Sequence, residues 1–116
     1  MGILKVLIMK VVELALLCGF ETLCMPDGDR QVSGAYIGDL LSWVMGRARA
    51  DNAWITIMSN VNVIAVASLA DVACVILAEG VTLDDELIKT ATAKGVNILK
   101  SELPAYETAA ELVGKV

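Results

Sequence analysis

The chain has 116 residues, 57% of them hydrophobic and 20% charged, with a mean hydropathy of +0.69. This length suits one small domain over residues 1–116, burying roughly two thirds of the extended chain's surface, and the composition excludes intrinsic disorder. Nine basic against fourteen acidic residues leave a net charge of −5, which argues against nucleic acid as a partner, and the absence of histidine removes the commonest general base and metal ligand.

Two apolar stretches, 3–20 and 61–78, are long enough to be weighed as membrane spans. Lys5, Lys10 and Glu13 interrupt the first, Asn62 and Asp71 the second. A spanning helix needs about 20 residues almost free of charge, so neither qualifies. No A-x-A-like pair follows the start, and Val6 stands where a myristoylation signal requires Ser or Thr. Cys18, Cys24 and Cys74 form no CxxC and no zinc spacing, and they read as small buried hydrophobes. Together these features point to a soluble protein of the cytoplasm, with no membrane partner.

In chain order, residues 5–9 could be a short strand or the start of a helix. We expect an extended entry, then a helix over 10–17 ended by Gly19. Residues 20–25 alternate and are rich in β-formers, predicting a strand before the Pro26-Asp27-Gly28-Asp29 turn. Residues 32–36 are small and irregular. Ile37, Leu40, Leu41 and Val44 recur at helical spacing and predict a helix over 37–45, closed by Gly46, with Arg47 and Arg49 at its carbonyl end. After the Asp51-Asn52 loop, 54–58 reads as a buried strand.

Ser59 and Asn60 are N-cap residues for a helix to 69, with Val63, Val66, Ala67 and Ala70 inward and Asp71 at its end. Residues 74–77 form a continuous apolar strand, followed by a Glu79-Gly80 turn. Thr82 is expected to cap a more polar helix, whose acidic first turn (Asp84, Asp85, Glu86) and later Lys89 and Lys94 suit the helix dipole, with Gly95 as its stop. A strand over 96–99 and a helix over 101–113, with Pro104 near its start, complete the chain. From Trp54 onward, strand and helix alternate three times with short connections. That order predicts an α/β fold with a mainly parallel sheet flanked by helices.

The chain lacks GxxxxGK[ST], GxGxxG and any nucleophile-histidine pair, and the acidic cluster at Asp84 compensates a dipole rather than building a metal site. No catalytic residue, metal or cofactor is expected, and the chain reads as a non-enzyme. Ligands of open parallel sheets collect beyond the strands' carboxyl ends. Ser59, Asn60, Asn62, Glu79, Gly80, Thr82, Lys100 and Ser101 fall in loops that belong there, a set suited to a nucleotide-like or anionic metabolite. The plainer reading, which comes first, is that Ser59, Asn60 and Thr82 are only N-caps. Ser33, Gly34, Tyr36 and Asp39 form a second candidate set, where small residues permit close approach by a ligand or another subunit. Tyr36, Trp43 and Trp54 belong either to an interface or to the core, and for the two tryptophans we expect the core.

The stretch Ser33-Gly34-Ala35-Tyr36-Ile37-Gly38-Asp39-Leu40-Leu41-Ser42-Trp43-Val44-Met45-Gly46, then Trp54-Ile55-Thr56-Ile57 and Asn62-Val63-Ile64-Ala65-Val66-Ala67, resembles the DRTGG domain family. The namesake motif is degenerate: Asp29-Arg30 is present, but Gln31-Val32 intervenes before Ser33-Gly34-Ala35. Asn60 stands where related sequences carry a histidine. The resemblance implies an α/β domain akin to the N-terminal domains of HPr kinase/phosphorylase and Mur ligases. It also implies a regulatory or scaffolding module that forms homodimers, and a partner protein in a redox or metabolic regulatory system. A serine-kinase label does not transfer, because that activity belongs to a separate P-loop domain.

Overall fold

The computed structural model describes residues 8–116, so the expectations at Met1-Gly2 and at 5–7 lie outside the described residues. Its centre is a pair of strands, β5 (Ala53–Thr56) and β6 (Cys74–Leu77), in which every residue is buried. Unbroken apolar runs of this kind need cover on both faces. β7 (Ile98–Lys100) joins on one side and β4 (Ala35–Ile37) on the other, all four parallel. β2 (Glu21–Cys24) pairs antiparallel with β7 to give the order β2-β7-β6-β5-β4. β1 (Met9–Lys10) and β3 (Gln31–Val32) form a separate antiparallel pair.

Alternation along the strands divides the core into two halves. On one face α1 (Val11–Cys18) and α5 (Ala105–Leu112) lay Val11, Leu14 and Leu112 on Ile55, Ile76 and Leu99. On the other, α2 (Leu41–Arg47), α3 (Val61–Ala70) and α4 (Asp85–Ala93) lay Val44, Val63, Ile64 and Ala91 on Trp54, Val75, Leu77 and Ile98. Among the described residues, every buried side-chain N or O atom has a hydrogen-bond partner. No described helix is long and apolar enough to cross a membrane.

The expected α/β architecture is present, and its departures from expectation are local. The segment 32–36 is not irregular: it holds the end of β3 and most of β4, separated by Ser33 and by Gly34 at φ +71°. Ile37 is not helical. It pairs with Ile55 as the last residue of β4, and the helix begins at Leu41 and runs through Gly46 to Arg47. Helical spacing of Ile37 with Leu40 and Leu41 was an accident of a strand running into a helix, and the pairing energy of the sheet decides it. Thr82 does not cap α4. Asp84 does, its Oδ1 accepting from the Leu87 N–H at 2.9 Å. The last helix starts at Ala105, because Ser101 is held by the sheet through its N–H to the Leu77 carbonyl at 2.7 Å.

Candidate functional site

Four loops leave the carboxyl ends of β4, β5, β6 and β7 along one edge of the sheet. The strand ends are stitched there by backbone bonds: Gly38 N–H to the Ile55 carbonyl, Ala78 N–H to Thr56, and Ser101 N–H to Leu77. At the β7 end the antiparallel register sets Glu21 opposite Lys100. The loop between α1 and β2 therefore faces the loop after β7. Between them lies a cleft of about 270 Å³, lined by Cys18, Gly19, Phe20, Glu21, Lys100, Ser101, Glu102 and Leu103.

Lys100 keeps only 19% of its side chain exposed, and its ammonium meets Glu102 Oε2 at 3.4 Å, a carboxylate on a side chain that is 76% exposed. The Gly80 N–H donates to the Ser101 carbonyl and the Glu79 N–H to the Leu103 carbonyl, each at 2.8 Å, so the loop after β6 abuts the cleft. Glu79 and Gly80 both occupy the left-handed region, at φ +61° and +69°. A non-glycine residue there carries strain of roughly 1 kcal/mol.

Of the eight residues expected at the edge, only Lys100 and Ser101 line the cleft, with Glu79 and Gly80 in the loop behind it. Ser101 is 2% exposed, and its hydroxyl is shared with Thr108 Oγ1 at 2.8 Å and the Leu103 N–H at 3.1 Å, which makes it a strut of the cleft wall. Asn60 is the N-cap of α3, accepting from the Asn62 N–H at 2.9 Å. Ser59, Asn62 and Thr82 are exposed. Glu102, in the same expected loop as Lys100 and Ser101, also lines the cleft, and the residues that sequence reasoning missed are 18–21 and Leu103. Residues 18–21 reach the site only through antiparallel pairing across about eighty positions, for which a local pattern carries no signal.

The second set divides between two places. Ser33 and Gly34 lie at the amino end of β4, where the Ser33 carbonyl accepts from Asn52 Nδ2 at 2.9 Å. Asp39 lies at the carboxyl end, its Oδ1 accepting from Thr56 Oγ1 at 2.8 Å and the Ile57 N–H at 3.0 Å. Tyr36 packs against the helix-covered core. Trp54 is fully buried as expected, with its indole N–H on the Gly38 carbonyl at 2.9 Å. Trp43 is not a core residue: it is 53% exposed, with the Arg47 guanidinium 3.9 Å from its ring centre. Its position flanks the inward stripe of Leu41 and Val44 on α2, which Ala48 continues just past the helix end.

Cys24 and Cys74 are buried, Cys18 is half-buried, and none is in a disulfide. Burial raises all three thiols, that of Cys74 to about 12, so they behave as packing groups. Among the described residues no group of three or more metal-ligating side chains comes together.

No curated protein sequence matches the chain. Among solved structures, the fold is similar to the CBS and DRTGG domains of the regulatory region of Clostridium perfringens pyrophosphatase, complexed with its activator diadenosine tetraphosphate. The TM-score is 0.72 at 12% identity, over 86% of this chain and 44% of that one. At this identity the likeness is one of fold, and the chain spans less than half the length of that neighbour. The family model for the DRTGG domain matches residues 8–114, which takes in every element from β1 to α5. A match over nearly the whole chain shows that it belongs to the DRTGG domain family.

Proposed function

We propose that the chain is a non-catalytic regulatory module that acts as a homodimer through the open edge of β4. The observation that carries this reading is an unpaired strand edge beside exposed apolar side chains. The bonds from Gly38 N–H to Ile55 and from Ala53 N–H to Gly34 turn residues 34, 36 and 38 toward β5. The N–H and C=O groups of Ala35 and Ile37 therefore point away from the sheet, and among the described residues nothing pairs with them. Ile37, Leu40, Trp43, Ile57 and Val61, each at least 46% exposed, gather at the carboxyl end of β4 and β5. Such an edge invites another strand.

A second copy fits by symmetry. Antiparallel pairing about a two-fold axis at Tyr36 sets Ala35 against Ile37 of the other copy, so both outward pairs bond reciprocally. The same register carries the free carboxylate oxygen of Asp39 toward the neighbourhood of Ser33 in the other copy. There Arg49, exposed and in no ion pair among the described residues, is anchored by its N–H on Asn52 Oδ1. Light scattering after size exclusion tests this. We expect a dimer at micromolar concentration, dissociated by Ile37→Lys and weakened by Arg49→Glu, both exposed positions; a monomeric wild-type chain rejects the reading.

The cleft at the other end of the edge favours a second reading, in which the module senses a small charged metabolite. Its partly buried lysine with a loosely held counter-charge supports that reading. Thermal denaturation against nucleotides, anions and amino acids tests it: a rise in melting temperature is expected for the true ligand class.

A further inference from the structure

We propose that the cleft between 18–21 and 100–103 takes a small zwitterion of the amino-acid class, its carboxylate on Lys100 and its ammonium between Glu21 and Glu102. The proposal rests on the sensing reading above and names the ligand class for it. Size is the first constraint. A volume of about 270 Å³ lies just under the range of drug-sized sites and matches a molecule of amino-acid size.

Charge is the second constraint. One cation and two carboxylates line the cleft, with the exposed Leu103 as its apolar neighbour. Lys100 is largely withdrawn from water, yet its nearest carboxylate stands at 3.4 Å on a well-solvated side chain. A cation so placed is incompletely compensated, and an arriving carboxylate gains a charge-assisted bond there. Glu102, released from Lys100, then faces the ligand's ammonium together with Glu21. A polyanion would meet the same two carboxylates as repulsion, whereas a zwitterion leaves each charge paired.

The backbone keeps Glu102 in range. A Cβ added at Gly80 would lie 3.0 Å from Glu102 Oε1, so the carboxylate rests over a bare glycine that has φ +69°. A side chain at position 80 would make the Glu102 carboxylate give way by a few tenths of an ångström and would strain the left-handed backbone.

Titration calorimetry and thermal denaturation of the 116-residue chain test the proposal. The probes are L-alanine, L-serine and L-leucine, set against acetate, methylamine and AMP. At about 10 mM the fitting amino acid raises the melting temperature by several degrees and slows alkylation of Cys18, while acetate and methylamine do neither. Lys100→Gln and Glu102→Gln each weaken binding by about tenfold or more, with far-UV circular dichroism unchanged. The sign at Glu102 is diagnostic, because removing a carboxylate from a pure anion site would tighten binding. Binding of AMP or acetate with no response to amino acids, or tighter binding by Glu102→Gln, overturns the zwitterion and leaves the sensing reading standing. No response to any probe overturns both.

Discussion

Arg30 closes on Asp71 twice, Nη1 reaching the carboxylate at 2.9 Å and Nη2 the backbone carbonyl at 2.6 Å. The same guanidinium holds Asp51 Oδ1 through Nε at 3.2 Å and Nη2 at 2.9 Å, and the Asp51 N–H donates to the Asp71 carbonyl at 3.0 Å. Asp51 and Asp71 both sit in the left-handed region, at φ +69° and +59°. One planar side chain therefore ties together three connections at the amino edge of the sheet, and holds two strained turns in place. Arg30 is the part of the degenerate namesake motif whose role is visible, and that role is structural.

Arg30→Ala should destabilise the domain by about 2 kcal/mol, a value reduced from that of a buried network because both carboxylates are substantially exposed. Arg30→Lys should recover only part of this, since an ammonium cannot reproduce the forked geometry. Urea denaturation of the two variants measures both effects, and equal stability of the lysine variant and wild type would contradict the account.

Asn97 is 1% exposed and uses its whole amide: Nδ2 donates to the Asp27 carbonyl at 2.8 Å and the Ala73 carbonyl at 2.9 Å, while Oδ1 accepts from the Asp27 N–H at 2.9 Å. It pins the turn after β2 to the start of β6. Asn97→Ala should cost about 2 kcal/mol by leaving the buried Ala73 carbonyl and the part-buried Asp27 groups without their partner, and hydrogen exchange at the Asp27 amide should accelerate.

Asp39 joins the ends of β4 and β5 through Thr56 Oγ1 and the Ile57 N–H. Asp39→Ala should cost about 1–2 kcal/mol, and Asp39→Asn, which keeps an acceptor, should cost less. Because the edge of β4 depends on this anchor, the alanine variant should also weaken dimerisation in the light-scattering experiment.

Alkaline stability carries the mark of the thiols. Cys74 is raised from 9.0 to about 12 by burial, so the native chain keeps a proton that the unfolded chain releases above pH 9. Stability is therefore fully present below about pH 9 and falls as the pH climbs toward 12, by up to on the order of 4 kcal/mol. Cys24 and Cys18, also raised by burial, act in the same direction. Cys74→Ala should flatten the pH dependence of the urea midpoint between pH 9 and 11, a comparison made against the same buffer series for wild type.

Local pattern was enough to reveal the strand-helix alternation from Trp54 to Leu112, the caps at Asn60 and Asp71, and the buried run at 74–77. These features depend on residues within a turn or two of one another: side-chain periodicity, a short polar side chain before a helix, an apolar run with no alternation. Where two local signals competed, the sequence was ambiguous. Thr82 and Asp84 are both capping types, and only the orientation of the chain entering α4 selects Asp84. Lys100 and Ser101 were placed at the carboxyl edge of the sheet by the rule for parallel sheets, but the rule could not separate a lysine paired with a solvated carboxylate from a serine locked on Thr108.

What tertiary structure decided is non-local. Ile37 became a strand residue because β5 offers it a ladder, and Trp43 stayed in solvent because α2 turns Val44 inward instead. The cleft exists because β2 runs antiparallel beside β7, setting Glu21 against Lys100 across 79 positions of chain. Periodicity is a property of neighbours along the chain, whereas register between distant strands is set by the summed burial of both faces of the sheet, which no short window of sequence contains.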